Sequence, residues 1–328
     1  MRVLVTGVAG FVGSSLATEL LRRGHRVVGI DSLTDYYDPS LKHGNLRTLH
    51  CDNFEFHHND LNTMDLSPIL ADVDVVFHQA GQPGVRKSWG SEFQSYVEAN
   101  VQATQRLLES AIQAPSLKRF VYASSSSVYG ESETYPTTEE TRPRPMSPYG
   151  VTKLAAEHLC TLYGRSFGVP TVSLRYFTVY GPRQRPDMAF ARFVRASITG
   201  EPVSVYGDGS QIRDFTFISD VVQANILAAE RTSSPGTVLN ISGGSQISVN
   251  EALSILADLR GEPLNVTYTA SLAGDVRRTS GENRLAKEIL DWSPRVPVSS
   301  GLALHREWML TEHLSPTGVE THGLRSSR

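Results

Sequence analysis

Val3-Leu-Val-Thr-Gly7-Val-Ala-Gly10-Phe-Val-Gly13 opens the chain with a short apolar run that breaks into three glycines. A helical pattern follows through Leu16, Leu20 and Leu21 to Gly24. The apolar run reads as a strand. Glycines spaced by three at its end permit a tight turn and let a pyrophosphate approach the backbone N–H groups of the following helix. Gly7, Gly10, Phe11, Val12 and Gly13 are therefore candidate cofactor contacts. The spacing departs from G-x-G-x-x-G, and a glycine triplet alone is weak evidence; its context strengthens it. The next strand, residues 27–30, ends on Asp31, eighteen positions beyond Gly13. A carboxylate there accepts hydrogen bonds from both hydroxyls of an adenosine ribose and repels a 2′-phosphate. No basic residue directly follows it, so the expected cofactor is NAD.

Strand-like runs recur near 54–57, 73–78, 120–123 and 171–174, with helical stretches between most of them, notably 92–113 and 149–167. Near-continuous apolar strands alternating with helices predict an α/β fold, a Rossmann-type doubly wound parallel sheet, over residues 1–175. After Arg175 the texture changes to a loop at 181–186, a helix near 188–199, a strand at 203–206 and a turn at 207–210. Residues 176–314 are expected to form a smaller C-terminal substrate-binding α/β domain, partly interleaved with the first. It would cover the carboxyl edge of the sheet, where ligands bind in such folds. Residues 315–328, polar and rich in Ser, Thr and Gly, read as a disordered tail.

The composition narrows the function classes. The chain has 328 residues, 40% hydrophobic and 20% charged, with a net charge of −3, which suits a globular protein and points to neither nucleic acid nor an anionic membrane. The N-terminus enters a strand at once, and no signal peptide or spanning apolar run is expected, which predicts a cytoplasmic protein. Cys51 and Cys160 lack metal-ligand spacing and read as structural thiols in a reducing compartment. His57-His58 has no third ligand at a suitable spacing, so no metal is expected.

Two further stretches carry chemistry: Ser124-Ser-Ser-Ser127, and Ser147-Pro-Tyr149-Gly-Val-Thr-Lys153. Pro148 fits a first helical turn and Ser147 is a suitable N-cap. Tyr149 and Lys153, four apart, then share one helix face. A phenol becomes a base near neutrality only after a depression of roughly 3 units, about 4 kcal/mol. A neighbouring ammonium, a helix N-terminus and a cationic ring each push that way. By itself Tyr-x-x-x-Lys is a common accident. Asp60-Leu61, after the third strand, is placed to hold an adenine edge and reads equally as a surface turn. Asn100, a poor helix former inside a helix, is either a polar face position or a brace for the site.

Taken in order, Thr6-Gly7-x-x-Gly10-x-x-Gly13, His78-Gln-Ala-Gly81, Ser124-Ser-Ser-Ser-Val-Tyr-Gly130, Tyr149-x-x-x-Lys153 and Arg213-Asp-Phe215 resemble the extended short-chain dehydrogenase/reductase family, from Arg2 to about Pro294. The resemblance implies Tyr149 as acid/base, Lys153 as the holder of the nicotinamide ribose, and Ser125, four before Tyr129, as the hydroxyl on the reacting oxygen. It places Gln79, Ala80, Asn100 and Tyr176 at the cofactor. Family members that eliminate water or CO₂ carry an acidic residue where this chain has Ser126 and Ser127, which leaves epimerisation or simple oxidation. Neither cysteine lies near these motifs, which disfavours a thioester-forming dehydrogenase.

Other segments are similar to those of UDP-glucuronate 4-epimerases: Asp35-Tyr-Tyr-Asp-Pro39, Gln82-Pro-Gly-Val-Arg86, Ser95-Tyr-Val97 and Arg175-Tyr-Phe-Thr178-Val-Tyr-Gly-Pro-Arg-Gln-Arg185-Pro-Asp-Met-Ala189. A hexuronate carries a carboxylate. Arg185 offers a forked guanidinium to read it, and Ser126, Ser127 and Thr178 add hydroxyl donors. For the UDP moiety the resemblance implies Arg213 at the diphosphate and Asp275 at the uridine ribose. Tyr206 is a candidate for the uracil, and Arg86 for the sugar carboxylate or a phosphate. Ser280-Gly281 departs from the family's pattern and leaves the backbone there open. The implied reaction is NAD-dependent epimerisation at C4 of UDP-glucuronate to UDP-galacturonate through a transient 4-keto sugar, with tightly bound NAD regenerated each turnover. A UDP-glucose/UDP-galactose 4-epimerase, a UDP-glucuronate decarboxylase and a non-catalytic NAD-binding protein remain alternatives. By resemblance, helices 92–113 and 149–167 would pair in a homodimer.

Overall fold

The computed structural model describes residues 1–231, 233–270 and 276–312. The first half of the chain runs β1 (Arg2–Thr6), α1 (Phe11–Arg22), β2 (Arg26–Asp31), α2 (Pro39–Arg47), β3 (Phe54–His58), α3 (Ser67–Leu70), β4 (Val75–His78), α4 (Phe93–Tyr96), α5 (Ala103–Ile112), β5 (Arg119–Ser125), α6 (Pro148–Phe167) and β6 (Thr171–Tyr176). The second half runs β7 (Thr178–Tyr180), α7 (Ala189–Thr199), β8 (Val203–Tyr206), β9 (Ile212–Phe217), α8 (Ile218–Glu230), β10 (Thr237–Ile241), β11 (Gln246–Ser248), α9 (Val249–Arg260), β12 (Val266–Thr269), α10 (Arg284–Leu290) and α11 (Val298–Glu312).

Seven parallel strands in the order β10-β6-β5-β4-β1-β2-β3 make the main sheet, the Rossmann-type doubly wound arrangement that the alternation of elements predicts. Its inner strands are buried and mostly apolar, whereas the edge strand β3 is half-buried and carries Glu55, His57 and His58. Val3, Val5, Phe77, Val121 and Leu174 pack into one layer, while Leu4, Val28, Val76, Phe120 and Tyr122 pack into the other. Residues 218–241 return to this sheet: β10 extends it beside β6, and α8 packs on α1. The smaller sheets among the described residues are β11-β9-β7 and β12-β8.

One element differs from expectation in an instructive way, and one follows it closely. The helical stretch 92–113 is not one helix. It runs as a 3₁₀ turn at Gly90–Glu92, then α4, a π-helical turn at Val97–Gln102, and α5. The π turn inserts one residue per turn, which rotates Asn100 inward. Helix α6 follows its predicted caps: Ser147 Oγ accepts the Gly150 N–H at 3.1 Å, Pro148 opens the first turn, and Gly168 closes the helix at φ 73°. The expected tail at 315–328 lies outside the described residues.

Candidate active site

A cleft of 380 Å³ follows the carboxyl edge of the main sheet where the strand order reverses between β1 and β4, the point at which open α/β sheets take their ligands. Its floor is the turn from β1 to α1. Gly7 has φ +67°, and a Cβ there would lie 2.8 Å from Ala80 Cα; one on Gly13 would lie 2.1 Å from the Gly7 carbonyl oxygen. The glycines thus let β1, α1 and the end of β4 meet. No side chain caps the first turn of α1, so its backbone N–H groups face an incoming anion. Gly7, Gly10, Phe11, Val12 and Gly13 all line the cleft, as do Asp31, Asp60, Leu61, Gln79 and Ala80. Asp60-Leu61, ambiguous in sequence, faces the cleft. The Asp31 carboxylate is held by N–H donors from Ala9 and Leu33, each at 2.9 Å.

Lys42, on α2, reaches the same end of the cleft, and nothing in its sequence surroundings marks it. Its ammonium donates to the Thr34 carbonyl at 2.6 Å and the Thr34 hydroxyl at 3.1 Å, and burial holds its pKa below the usual lysine value. Asn225, from α8, is a second unforeseen neighbour. Its Oδ1 accepts from the Tyr176 hydroxyl at 2.9 Å and from Gln79 Nε2 at 2.9 Å, which fixes two predicted cofactor contacts against each other.

Tyr149 and Lys153 both line the cleft. Lys153 Nζ donates to the Ala123 carbonyl at 2.9 Å and lies 5.1 Å from the Tyr122 ring centre; burial pulls its pKa down to about 8. Asn100 sits behind this pair. Its amide donates to the Gln82 carbonyl at 3.1 Å and to Thr152 Oγ1 at 3.0 Å. A Cβ on Gly81 would fall 2.6 Å from Asn100 Oδ1 and 3.2 Å from Lys153 Nζ, so Gly81 is the residue that lets these groups converge. Asn100 is therefore a brace, behind the wall.

The Tyr149 phenol is pulled in opposite directions by its surroundings. Burial pushes its pKa above the usual value, while a hydrogen bond with Ser125 and the charge of Arg185 pull it down. The Lys153 ammonium is desolvated and donates to the Ala123 carbonyl beside the Tyr122 ring.

Within the serine run, Ser125 Oγ accepts the Ser127 N–H at 3.1 Å, and Ser126 and Ser127 enter a single 3₁₀ turn. That turn presses on the start of α6: a Cβ on Gly150 would lie 2.6 Å from the Ser127 carbonyl oxygen. Ser124 Oγ instead donates to Glu157 Oε2 at 2.6 Å. Glu157 takes Arg175 through Nε at 2.9 Å and Nη2 at 2.6 Å, and Arg175 Nη1 donates to Tyr129 OH at 2.6 Å. This buried network ties β5, α6 and β6 together beneath the site. Its one sequence signal is that Tyr149, Lys153 and Glu157 recur every four residues on one helix face.

Of the predicted substrate contacts, Arg185 lines the cleft, with its guanidinium paired to Asp187 at 2.9 Å through both Nε and Nη2. Thr178 begins β7 opposite Phe215 of β9. Arg86 stacks on the Tyr206 ring at 4.2 Å. Arg213, on β9, donates from Nη1 to the Ile212 carbonyl at 3.0 Å. None of Arg86, Tyr206 or Arg213 is part of the cleft wall that Tyr149 shares. Asp275 lies outside the described residues. At Ser280-Gly281 the backbone is pinned: the Gly281 N–H donates to Asp214 Oδ2 at 3.1 Å, and a Cβ there would meet the Phe177 ring at 2.6 Å. Among the described residues no cluster of three His, Cys, Asp or Glu could hold a metal ion.

The NAD dependent epimerase/dehydratase family matches residues 3–242, across the glycine turn, the serine run and the Tyr149–Lys153 helix. The chain belongs to this family. A 44% identical family relative is a Bacillus subtilis (strain 168) protein, YtcB, described as an uncharacterized UDP-glucose epimerase; the match covers 92% of this chain and 96% of that one. Among solved structures, UDP-glucuronic acid 4-epimerase from Bacillus cereus, in complex with UDP-glucuronic acid and NAD, is 43% identical over 94% of this chain and 99% of its own, with a TM-score of 0.91. MoeE5, 44% identical with a TM-score of 0.85 over 94% of this chain, has been solved with UDP-glucuronic acid and with UDP-glucose, each with NAD, the match covering 99% and 98% of those chains.

Proposed function

We propose that the chain is an isomerase that interconverts UDP-glucuronate and UDP-galacturonate at C4, with NAD held tightly and regenerated in each turnover. The carrying observation is that the Tyr149 phenol and the Arg185 guanidinium line one cleft, with Ser125 as the phenol's hydrogen-bond partner and the Arg185 charge reaching it. The relatives solved with UDP-glucuronic acid and NAD support the same reading.

The residues present suit a dinucleotide: the tight glycine turn has no room for a Cβ at Gly7 or Gly13 and leaves the first turn of α1 uncapped for a pyrophosphate, and Asp31 offers a fixed acceptor. NAD, when bound, supplies reversible hydride acceptance at C4. Gly7, Gly10, Phe11, Val12 and Gly13 would hold its pyrophosphate, and Asp31 its adenosine ribose. Asp60, Leu61, Gln79, Ala80 and Tyr176 would line its remaining length, and Lys153, braced by Asn100, its nicotinamide ribose. Tyr149 takes the 4-hydroxyl proton at its phenolic oxygen and returns it, and Ser125 orients that oxygen. Arg185, with Ser126, Ser127 and Thr178, holds the sugar carboxylate away from the orientation that would release CO₂. Arg86, Tyr206, Arg213 and Asp275 hold the UDP, and residues 176–314, apart from the segment that rejoins the main sheet, make up the sugar-nucleotide domain.

The protein acts in the cytoplasm, where its two unpaired cysteines stay reduced. It works as a homodimer. Phe93 and Val97, and Val151, Leu162 and Phe167 on α6, leave large apolar side chains in water on the two helices that would pair.

Purified protein incubated with UDP-glucuronate and no added NAD should yield UDP-galacturonate by chromatography. A requirement for stoichiometric NAD, or turnover of UDP-glucose alone, overturns the reading. The second outcome would favour a neutral 4-epimerase, a reading that YtcB's description keeps open.

A further inference from the structure

The inference rests on the reading of an acidic UDP-sugar as substrate. The guanidinium assigned to that acid already has a carboxylate. Arg185 Nε donates to Asp187 Oδ1 and Nη2 to Oδ2, both at 2.9 Å, a two-point pair of the kind a hexuronate would make. The two side chains differ in setting: Arg185 is 15% exposed, in the cleft wall, and Asp187 is 44% exposed, at its rim. Among the described residues, the Asp187 carboxylate has no side-chain hydrogen-bond partner besides Arg185. It stands just before α7, whose first turn has no side-chain cap. A second cation waits nearby: Lys87 attracts the Asp187 carboxylate and sits 4.7 Å from the ring of Tyr36, whose centre is 5.5 Å from the Arg185 guanidinium. A carboxylate that leaves Arg185 therefore has both water and an ammonium to receive it.

We propose that Asp187 is a displaceable counter-ion that competes with the carboxylate of an acidic UDP-sugar for Arg185, and so sets the discrimination between acidic and neutral sugars. With a neutral sugar bound, the Arg185–Asp187 pair stays intact, and no uncompensated charge is left in the cleft wall. With a hexuronate bound, its carboxylate takes the fork and Asp187 turns towards Lys87. Asp187 thereby weakens acidic ligands and protects neutral ones, so the same cleft admits both.

The test is calorimetric binding of UDP-glucuronate and UDP-glucose to the NAD-loaded protein, comparing wild type with Asp187→Asn, Arg185→Gln and the double variant. Asp187→Asn should raise the ratio of the UDP-glucose Kd to the UDP-glucuronate Kd by about tenfold. On the Arg185→Gln background the same change should move the ratio by less than about threefold. A purely structural role would weaken both ligands together and leave the ratio in place. An unchanged ratio overturns the proposal, and a falling one does too, since Asp187 would then be orienting Arg185. If Asp187→Asn misfolds, Asp187→Ser carries the same expectation. Wild-type protein that binds no UDP-glucuronate would remove the substrate reading and this proposal together; binding with an unmoved ratio removes this proposal alone.

Discussion

Tyr149 stands between burial, which keeps its phenol protonated, and the Ser125 hydrogen bond and Arg185 charge, which favour the phenolate. Replacing it with Phe should cut kcat by about 10²- to 10⁴-fold while NAD still copurifies; retained activity would reassign the acid/base. Lys153 gives the site a pH limit. Its pKa is pulled down to about 8, and the ammonium is a stronger, charge-assisted donor to ribose hydroxyls than the neutral amine. As pH rises through about 8 that charge is lost, so kcat/KM should fall on the alkaline side; a profile flat to pH 9.5 would contradict this. Beneath the site, Glu157 neutralises a buried Arg175. Glu157→Gln leaves that charge uncompensated and should cost about 3–5 kcal/mol in urea unfolding. The Tyr149–Lys153 spacing was visible in sequence because four residues on a helix fix a shared face. Asn225 was not, because it meets Gln79 only after the chain returns to the first sheet.

At the scale of elements, the glycine turn and α6 are the legible pieces. Both are set by contacts within a few residues: a backbone turn that excludes Cβ atoms, and a Ser–Pro cap. Gly13→Ala would put a Cβ 2.1 Å from the Gly7 carbonyl, so the variant should purify without NAD, by absorbance and release assay. Ser147→Ala should cost about 1 kcal/mol of stability through loss of the cap, read from thermal unfolding. The π turn at Val97–Gln102 was illegible. A hydrophobic pattern does not report an inserted residue. Here that insertion goes with the bonds of Asn100 to Gln82 and Thr152, which are long-range contacts.

For the whole molecule, the sheet order and its reversal between β1 and β4 bring most of the candidate cofactor residues to one edge. Assembly belongs to this scale. Val151 and Leu162, eleven residues apart on α6, face the same side and are 49% and 54% exposed. Introducing Glu at both should yield a folded monomer in sedimentation, whereas an unchanged dimer would place the interface elsewhere. The amino-acid sequence by itself determined the doubly wound sheet, the dinucleotide turn and the Tyr149–Lys153 face, because periodicity, caps and glycine geometry act over a few residues. Only the tertiary structure decided that Lys42 joins the cleft and Asn225 fixes Gln79 and Tyr176 beside it, that Ser124 serves Glu157 while Ser125 serves Tyr149, and that the Arg185 fork is already filled by Asp187. Those choices depend on which polar groups are brought within 3 Å of each other and shielded from water, and no local pattern encodes that.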